Sequence, residues 1–316
     1  MKLRGLANLK YFTDPLSCSI LGAKVSSPIM FGSFPHQGMV HKDGELASAV
    51  AAADLNQIFV LSSESTFSIE DVVKATKGRG PKLLEVDVRL PKPVIFDLVK
   101  RASQHDCFIG VVVNAQFISN RITENEWKND FIIPPYLQAG NLLKYKSEFG
   151  SNDNLRNAYG LLDPKNTKGS RFAPSDIKYI KNEARQGMKV VVRGVMSRDD
   201  ALDAMSLGAD AIWVSNGYHL KPETAPPTIV VLQAIARAVK AKDPRAEIIV
   251  DSGLKRGTDV LKCLALGATS VSMGKQVMWG LNYNGSDGVK DIMNMLNEEV
   301  KLGMALTSCF KISDVT

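Results

Sequence analysis

The chain has 316 residues, 45% hydrophobic and 23% charged, the composition of an ordinary globular protein with room for one large α/β domain. Its formal net charge of +6 is spread along the chain with no dense basic cluster, which argues against a nucleic-acid-binding arm. The four cysteines form no C-x-x-C pair, so neither zinc nor a disulfide framework is expected and a reducing cytoplasm fits. No run reaches the ~18 apolar residues of a membrane span, and the opening MKLRGLANLKYFTD has no apolar core of the signal-peptide kind.

Short continuous apolar runs recur along the chain, as expected of strands buried on both faces. The predicted strands are Pro28–Phe31, Gln57–Leu61, Leu83–Val88, Ile109–Val113, Val190–Val192, Ala211–Val214, Ile248–Val250 and Ser270–Met273. Stretches of helical spacing follow them, at Gly44–Ala53, Ile69–Ala75, Pro93–Gln104, Pro174–Gln186, Arg198–Leu207, Thr228–Lys240, Gly257–Leu266 and Gly288–Met304. Ser197 and Ser175 stand where helix starts need an N-cap, and Gly208 and Gly267 where helix ends favour a left-handed residue. About eight strand–helix units predict a single (β/α)₈ TIM barrel over residues 1–316. A doubly wound sheet would need a glycine-rich turn after its first strand, and Gly32-Ser33-Phe34-Pro35 is not G-x-G-x-x-G. The interval 114–175 is long and irregular, and is read as an active-site cover or a disordered loop inserted after the fourth strand, not as a domain.

The last two units end in turns suited to phosphate. Asp251-Ser252-Gly253 leads into Lys255-Arg256, and Gly274-Lys275 opens the final helical region. Glycine lets backbone approach an anion, the helix start supplies free N–H groups and lysine adds charge.

At these residues the chain resembles the FMN-dependent α-hydroxy-acid oxidase and dehydrogenase family, which includes glycolate and lactate oxidases. Asp251–Asp259 (DSGLKRGTD) is similar to that family's D-G/S-G-x-R-R-G-x-D segment, and Gly274-Lys275 to its G-R dipeptide. Val190–Asn216, His41–Glu45, Leu61–Ser63, Ser119–Arg121 and Ile133–Pro135 match in the same order, and the likeness runs from about Leu3 to the end. The resemblance implies FMN at the C-terminal face of the barrel. It implies phosphate on Lys255, Gly274 and Lys275, and the ribityl chain and phosphate along Asp251, Ser252 and Gly253. Ser33, Phe34 and Pro35 take the place of the loop against the ring, and Ser62, Glu85, Val112, Arg193 and Ser215 that of its polar edge. The resemblance also implies a small-molecule substrate and a homo-oligomer, a tetramer in much of the family.

The chain departs from the family where chemistry is done. The histidine base that follows Ser-Asn is Gly217 here, and the carboxylate-binding arginine three residues on is Leu220. The family tyrosine after the third strand becomes Asp87 and an upstream tryptophan becomes Glu64, while Arg121 is kept. A proton acceptor must lie within hydrogen-bond reach, which glycine cannot provide. His219 lies two residues on, and an extended segment would point it to the same side. His219, Asp87 and Arg121 are therefore the candidate catalytic residues, with Tyr218 and Glu64 as further proton-transfer candidates. His36, His41 and His105 lack metal-type spacing and read as structural, and no metal site is expected. Three functions remain open: an FMN oxidoreductase with an altered substrate, a flavin- or phosphate-ligand-binding pseudoenzyme partnering an active homologue, and a phosphate-binding barrel without redox chemistry.

Overall fold

The computed structural model describes residues 14–88, 90–114, 134, 137–145, 174–217 and 225–315. An antiparallel hairpin of β1 (Cys18–Ile20) and β2 (Ala23–Val25) comes first. Eight parallel strands then close into a barrel in the order β10-β3-β4-β5-β6-β7-β8-β9. They are β3 (Ile29–Phe31), β4 (Phe59–Ser62), β5 (Lys82–Asp87), β6 (Phe108–Asn114), β7 (Lys189–Val195), β8 (Ala211–Val214), β9 (Glu247–Val250) and β10 (Ser270–Met273). All eight runs predicted from the sequence are barrel strands. The helices around them are α1 (Gly44–Asp54), α2 (Ile69–Thr76), α3 (Lys92–Ser103), α4 (Ile177–Glu183), α5 (Arg198–Ser206), α6 (Thr228–Lys242), α7 (Gly257–Ala265) and α8 (Lys275–Leu306). Among the described residues, no helix is long and apolar enough to cross a membrane.

Period-two alternation along each strand sorts the buried side chains into two cores. Leu84, Val86, Val111, Val113, Val190, Val192, Ile212 and Val214 pack outward against the helices. Met30, Val60, Leu83, Val112, Val191, Trp213 and Ile249 fill the barrel interior. The hairpin plugs this interior, contributing Ile20, Leu21 and Val25. It is anchored by Leu21 N, which donates to Glu247 Oε1 at 2.8 Å. The sequence reading missed this hairpin, because its strands have three residues and its turn carries Leu21 at φ 52° before Gly22 at φ 85° instead of the usual Asn-Gly.

Two helix boundaries differ from expectation. The last helix begins at Lys275, not Gly288, and kinks at Asn284 and Gly285. Two glycines of this helix serve packing. A Cβ on Gly280 would sit 2.5 Å from the carbonyl oxygen of Gly288, so only glycine lets the two limbs approach. The helix predicted from Pro174 to Gln186 is a 3₁₀ turn over Pro174–Asp176 followed by the shorter α4. Ser175 does not cap it, and Asp176 pairs with Lys92 at 2.7 Å. Ser197 does cap α5, its hydroxyl accepting from Asp200 N at 3.1 Å. Gly208 and Gly267 have φ of 105° and 103° just beyond α5 and α7.

Candidate active site at the C-terminal mouth of the barrel

The interior changes character toward the C-terminal ends of the strands. On seven strands the last apolar inner position is followed two residues on by a polar or small one: Gly32 after Met30, Ser62 after Val60, Glu85 after Leu83, Asn114 after Val112, Arg193 after Val191, Ser215 after Trp213 and Asp251 after Ile249. Alternation alone therefore carries Ser62, Glu85, Arg193, Ser215 and Asp251 to one ring at the barrel mouth.

Arg193 is the centre of that ring. Its Nη1 donates to Glu85 Oε2 at 2.6 Å and its Nη2 to Asp251 Oδ2 at 2.8 Å. Its guanidinium lies 5.0 Å from the Trp213 ring, a cation–π contact on the roof of the inner core. Burial opposes the charge, but Glu85 and Asp251 outweigh it and hold the guanidinium protonated well beyond its ordinary range. The two carboxylates are themselves braced. Ser33 Oγ donates to Glu85 Oε1 at 3.0 Å, and Ser252 Oγ to Asp251 Oδ1 at 2.8 Å. Thr228 Oγ1 donates to the Asp251 carbonyl at 2.7 Å, fixing the turn after β9.

The two phosphate-type turns meet beside this ring. Ser252 and Gly253 have φ of 73° and 80°. The α8 N-terminus opens at Gly274 with no side-chain cap. A Cβ placed on Gly253 or Gly274 would meet nothing within 4 Å among the described residues. Lys255 and Lys275 are exposed at their edges. Gln276 Nε2 donates to the Leu254 carbonyl and ties one turn to the other.

Across the mouth, Ser33 and Phe34 are half-buried and Pro35 is exposed, on the loop after β3. Glu64 and Asp87 are both buried, at 9% and 8% exposure. Val112 is fully buried in the inner apolar core, in register with Glu85 on the neighbouring strand. Gly217 is buried at φ 65°, and its N–H donates to Ser215 Oγ at 3.2 Å. His219, Arg121, Tyr218 and Leu220 lie outside the described residues. His36 is buried at φ 51°, and burial pushes its pKa below the ordinary value. His41 Nδ1 accepts from Asp43 N at 3.2 Å.

Over residues 7–316 the sequence matches the family described as FMN-dependent dehydrogenase. The chain belongs to the FMN-dependent dehydrogenase family. Mouse (Mus musculus) 2-hydroxyacid oxidase 1 is 36% identical over 314 residues, which cover 95% of this chain and 80% of the relative. L-lactate oxidase of Lactobacillus jensenii is 33% identical over 298 residues, 93% of this chain and 69% of the relative. Among solved structures, a putative lactate oxidase of Pediococcus acidilactici superposes with a TM-score of 0.84 at 26% identity, covering 99% of this chain and 80% of that one. A mandelate oxidase variant solved with an FMN adduct gives 0.80 at 26% identity, covering 99% and 84%.

FMN is the cofactor of this FMN-dependent dehydrogenase family member, and the residues at the mouth fit it. A phosphate there would meet an uncapped helix start, two glycines and two exposed lysines. A flavin ring's polar edge would meet Ser62, Ser215 and Arg193, whose Nε is buried with no hydrogen-bond partner among the described residues. Trp213, Thr228 and Gln276 escaped the sequence reading. Thr228 follows Pro226-Pro227 as any helix-opening threonine would, and nothing in the spacing links it to Asp251.

Proposed function

We propose that this protein is an FMN-dependent oxidoreductase of the hydroxy-acid oxidase family whose substrate is not glycolate or L-lactate. The observation that carries this reading is the turn at Gly217. The position of the family's proton acceptor is a buried glycine with φ 65°, closed by its own hydrogen bond to Ser215. The backbone there is left-handed, a conformation that glycine adopts without the strain a side chain brings.

In this reading the cofactor rests on Ser33, Phe34 and Pro35, with Ser62, Glu85, Val112, Arg193 and Ser215 at its polar edge. Asp251, Ser252, Gly253, Lys255, Gly274 and Lys275 receive its ribityl chain and phosphate. When bound, FMN supplies two-electron acceptance from a substrate carbon. The protein's share is to bind, orient and take the proton. Arg193 keeps a fixed positive charge at the ring edge, already shared by two carboxylates. Glu64 and Asp87 bring acidic side chains to the mouth, which repels a carboxylate and favours a neutral or cationic 2-hydroxy compound. His219 is the proton acceptor in this proposal, with Asp87 and Arg121 orienting the substrate and residues 114–175 covering the site within a single domain. Trp279, Tyr283, Met295, Leu302 and Leu306, all exposed on α8, support self-association.

Anaerobic mixing of the yellow protein with a panel of hydroxy acids, hydroxy-amides and amino alcohols tests this, read by bleaching of the visible flavin band. Bleaching is expected with neutral or cationic members and not with L-lactate or glycolate; rapid bleaching by L-lactate would defeat the altered-substrate reading. Alanine at His219 should abolish it, and unchanged turnover would remove His219 from the mechanism. The Gly217 turn also favours a second reading, a flavin-binding pseudoenzyme. Bound FMN that no member of the panel reduces is its signature.

A further inference from the structure

Among the described residues of the segment between β6 and α4, Asn141 is a buried side chain, exposed by only 1%, that bonds the turn after β4. Its Oδ1 accepts from Ile69 N at 2.8 Å, the first residue of α2. Its Nδ2 donates to the Ser62 carbonyl at 3.3 Å and to Ser65 Oγ at 2.9 Å. One amide therefore uses two donors and an acceptor on a loop more than seventy residues away. That loop is the turn after β4, where Ser65 N returns to the Ser62 carbonyl at 3.2 Å and Ser62 Oγ accepts from Glu64 N at 3.1 Å. Gly140 makes the approach possible, since a Cβ there would lie 2.7 Å from the Thr66 carbonyl oxygen. The attachment is secured from behind by Arg101, whose Nη1 donates to the Asn141 carbonyl at 3.1 Å while it pairs with Glu70.

We propose that Asn141 is a positioning residue for the cofactor edge: by holding the Ser62–Ser65 turn it sets Ser62 and Glu64 at the barrel mouth and couples the long segment after β6 to flavin binding. This rests on the reading that Ser62 lies at the flavin's polar edge. The chemistry asks for asparagine. Aspartate keeps the acceptor for Ile69 N and loses both donors, and leucine strands three buried partners.

The test measures FMN dissociation constants by flavin fluorescence, visible flavin circular dichroism, and apoprotein melting for the wild type, N141A, N141D, S62A, N141A/S62A and L142A. Leu142 is a buried neighbour that packs in the outer core and makes no contact with Ser62 among the bonds above, so L142A matches the loss of stability without the loss of positioning. N141A and N141D are expected to weaken FMN about tenfold and to change the flavin dichroism. S62A should weaken it less, the double variant should be no worse than N141A, and L142A should stay within about twofold of wild type. If N141A fails to fold, N141D carries the same comparison because it keeps the bond to Ile69. Equal shifts in N141D and L142A, or an effect of S62A with none of N141D, would overturn the proposal alone. No effect of S62A on affinity or dichroism would overturn the reading of Ser62 and the proposal with it.

Discussion

Replacing Arg193 with methionine removes the cation shared by Glu85 and Asp251 while keeping an unbranched side chain over Trp213. The three charged groups are mostly buried, with side-chain exposures of 16%, 10% and 9%. Breaking a buried pair by deleting one partner costs about 3–5 kcal/mol, because the remaining charge is left uncompensated. Here two carboxylates are left, and the cation–π contact at 5.0 Å goes as well, so the upper part of that range is expected. For 316 residues the unfolding entropy is about 0.7 kcal/mol per kelvin, which makes the loss roughly 5–8 °C in melting temperature. R193K should lose less, about 1–2 kcal/mol, since a point charge cannot serve both carboxylates at once. The double variant E85Q/R193M should recover part of the R193M loss by removing one stranded charge. Circular dichroism melts of the apoprotein at low and high salt are the assay, and the buried network should respond little to salt. An R193M protein within about 1 kcal/mol of wild type, or a loss that vanishes in salt, would refute a structural role for this cation.

Glu85→Gln takes one negative charge from the ring edge and leaves Arg193 to Asp251 alone, so the flavin midpoint potential should rise by roughly 30 mV; spectroelectrochemical titration showing no rise would remove Glu85 from the cofactor's surroundings. Gly217→His should lower stability by about 1–2 kcal/mol from its left-handed φ of 65° and should not restore L-lactate oxidation; a variant that oxidises lactate at wild-type stability would show that the turn is no constraint. Burial lowers the folded-state pKa of His36 below its ordinary 6.5, so the unfolded chain takes up the proton first as pH falls. The stability is complete above that value and declines below it, by at most about 1.4 kcal/mol per pH unit, until the folded-state pKa is reached. Denaturant melts from about pH 7.5 to pH 5 should show this slope in wild type and a flatter one in H36N, which tolerates the left-handed backbone. Equal slopes would place His36 in contact with solvent protons.

The strands were legible because each is a short run of apolar residues wrapped by its neighbours, and such runs look alike in any closed parallel barrel. The phosphate turns were legible because their requirement is local: Asp251-Ser252-Gly253 and Gly274-Lys275 need only glycine freedom, a helix start and a cation. The helix spanning Gly280 and Gly288 was misread, since a glycine that breaks a helix and one that admits another backbone are the same letter.

By itself, then, the sequence determined the barrel, the phosphate turns and the resemblance to a flavin family. It also exposed the replacement of the proton acceptor by Gly217. Only the tertiary structure decided that Arg193 is divided between Glu85 and Asp251 and that Asn141 holds the turn carrying Ser62. These depend on distances between residues 52 to 108 positions apart in the chain, such as Ser33 to Glu85 and Glu85 to Arg193. Periodicity records which face a side chain takes, while closure of the barrel chooses which side chains on that face meet.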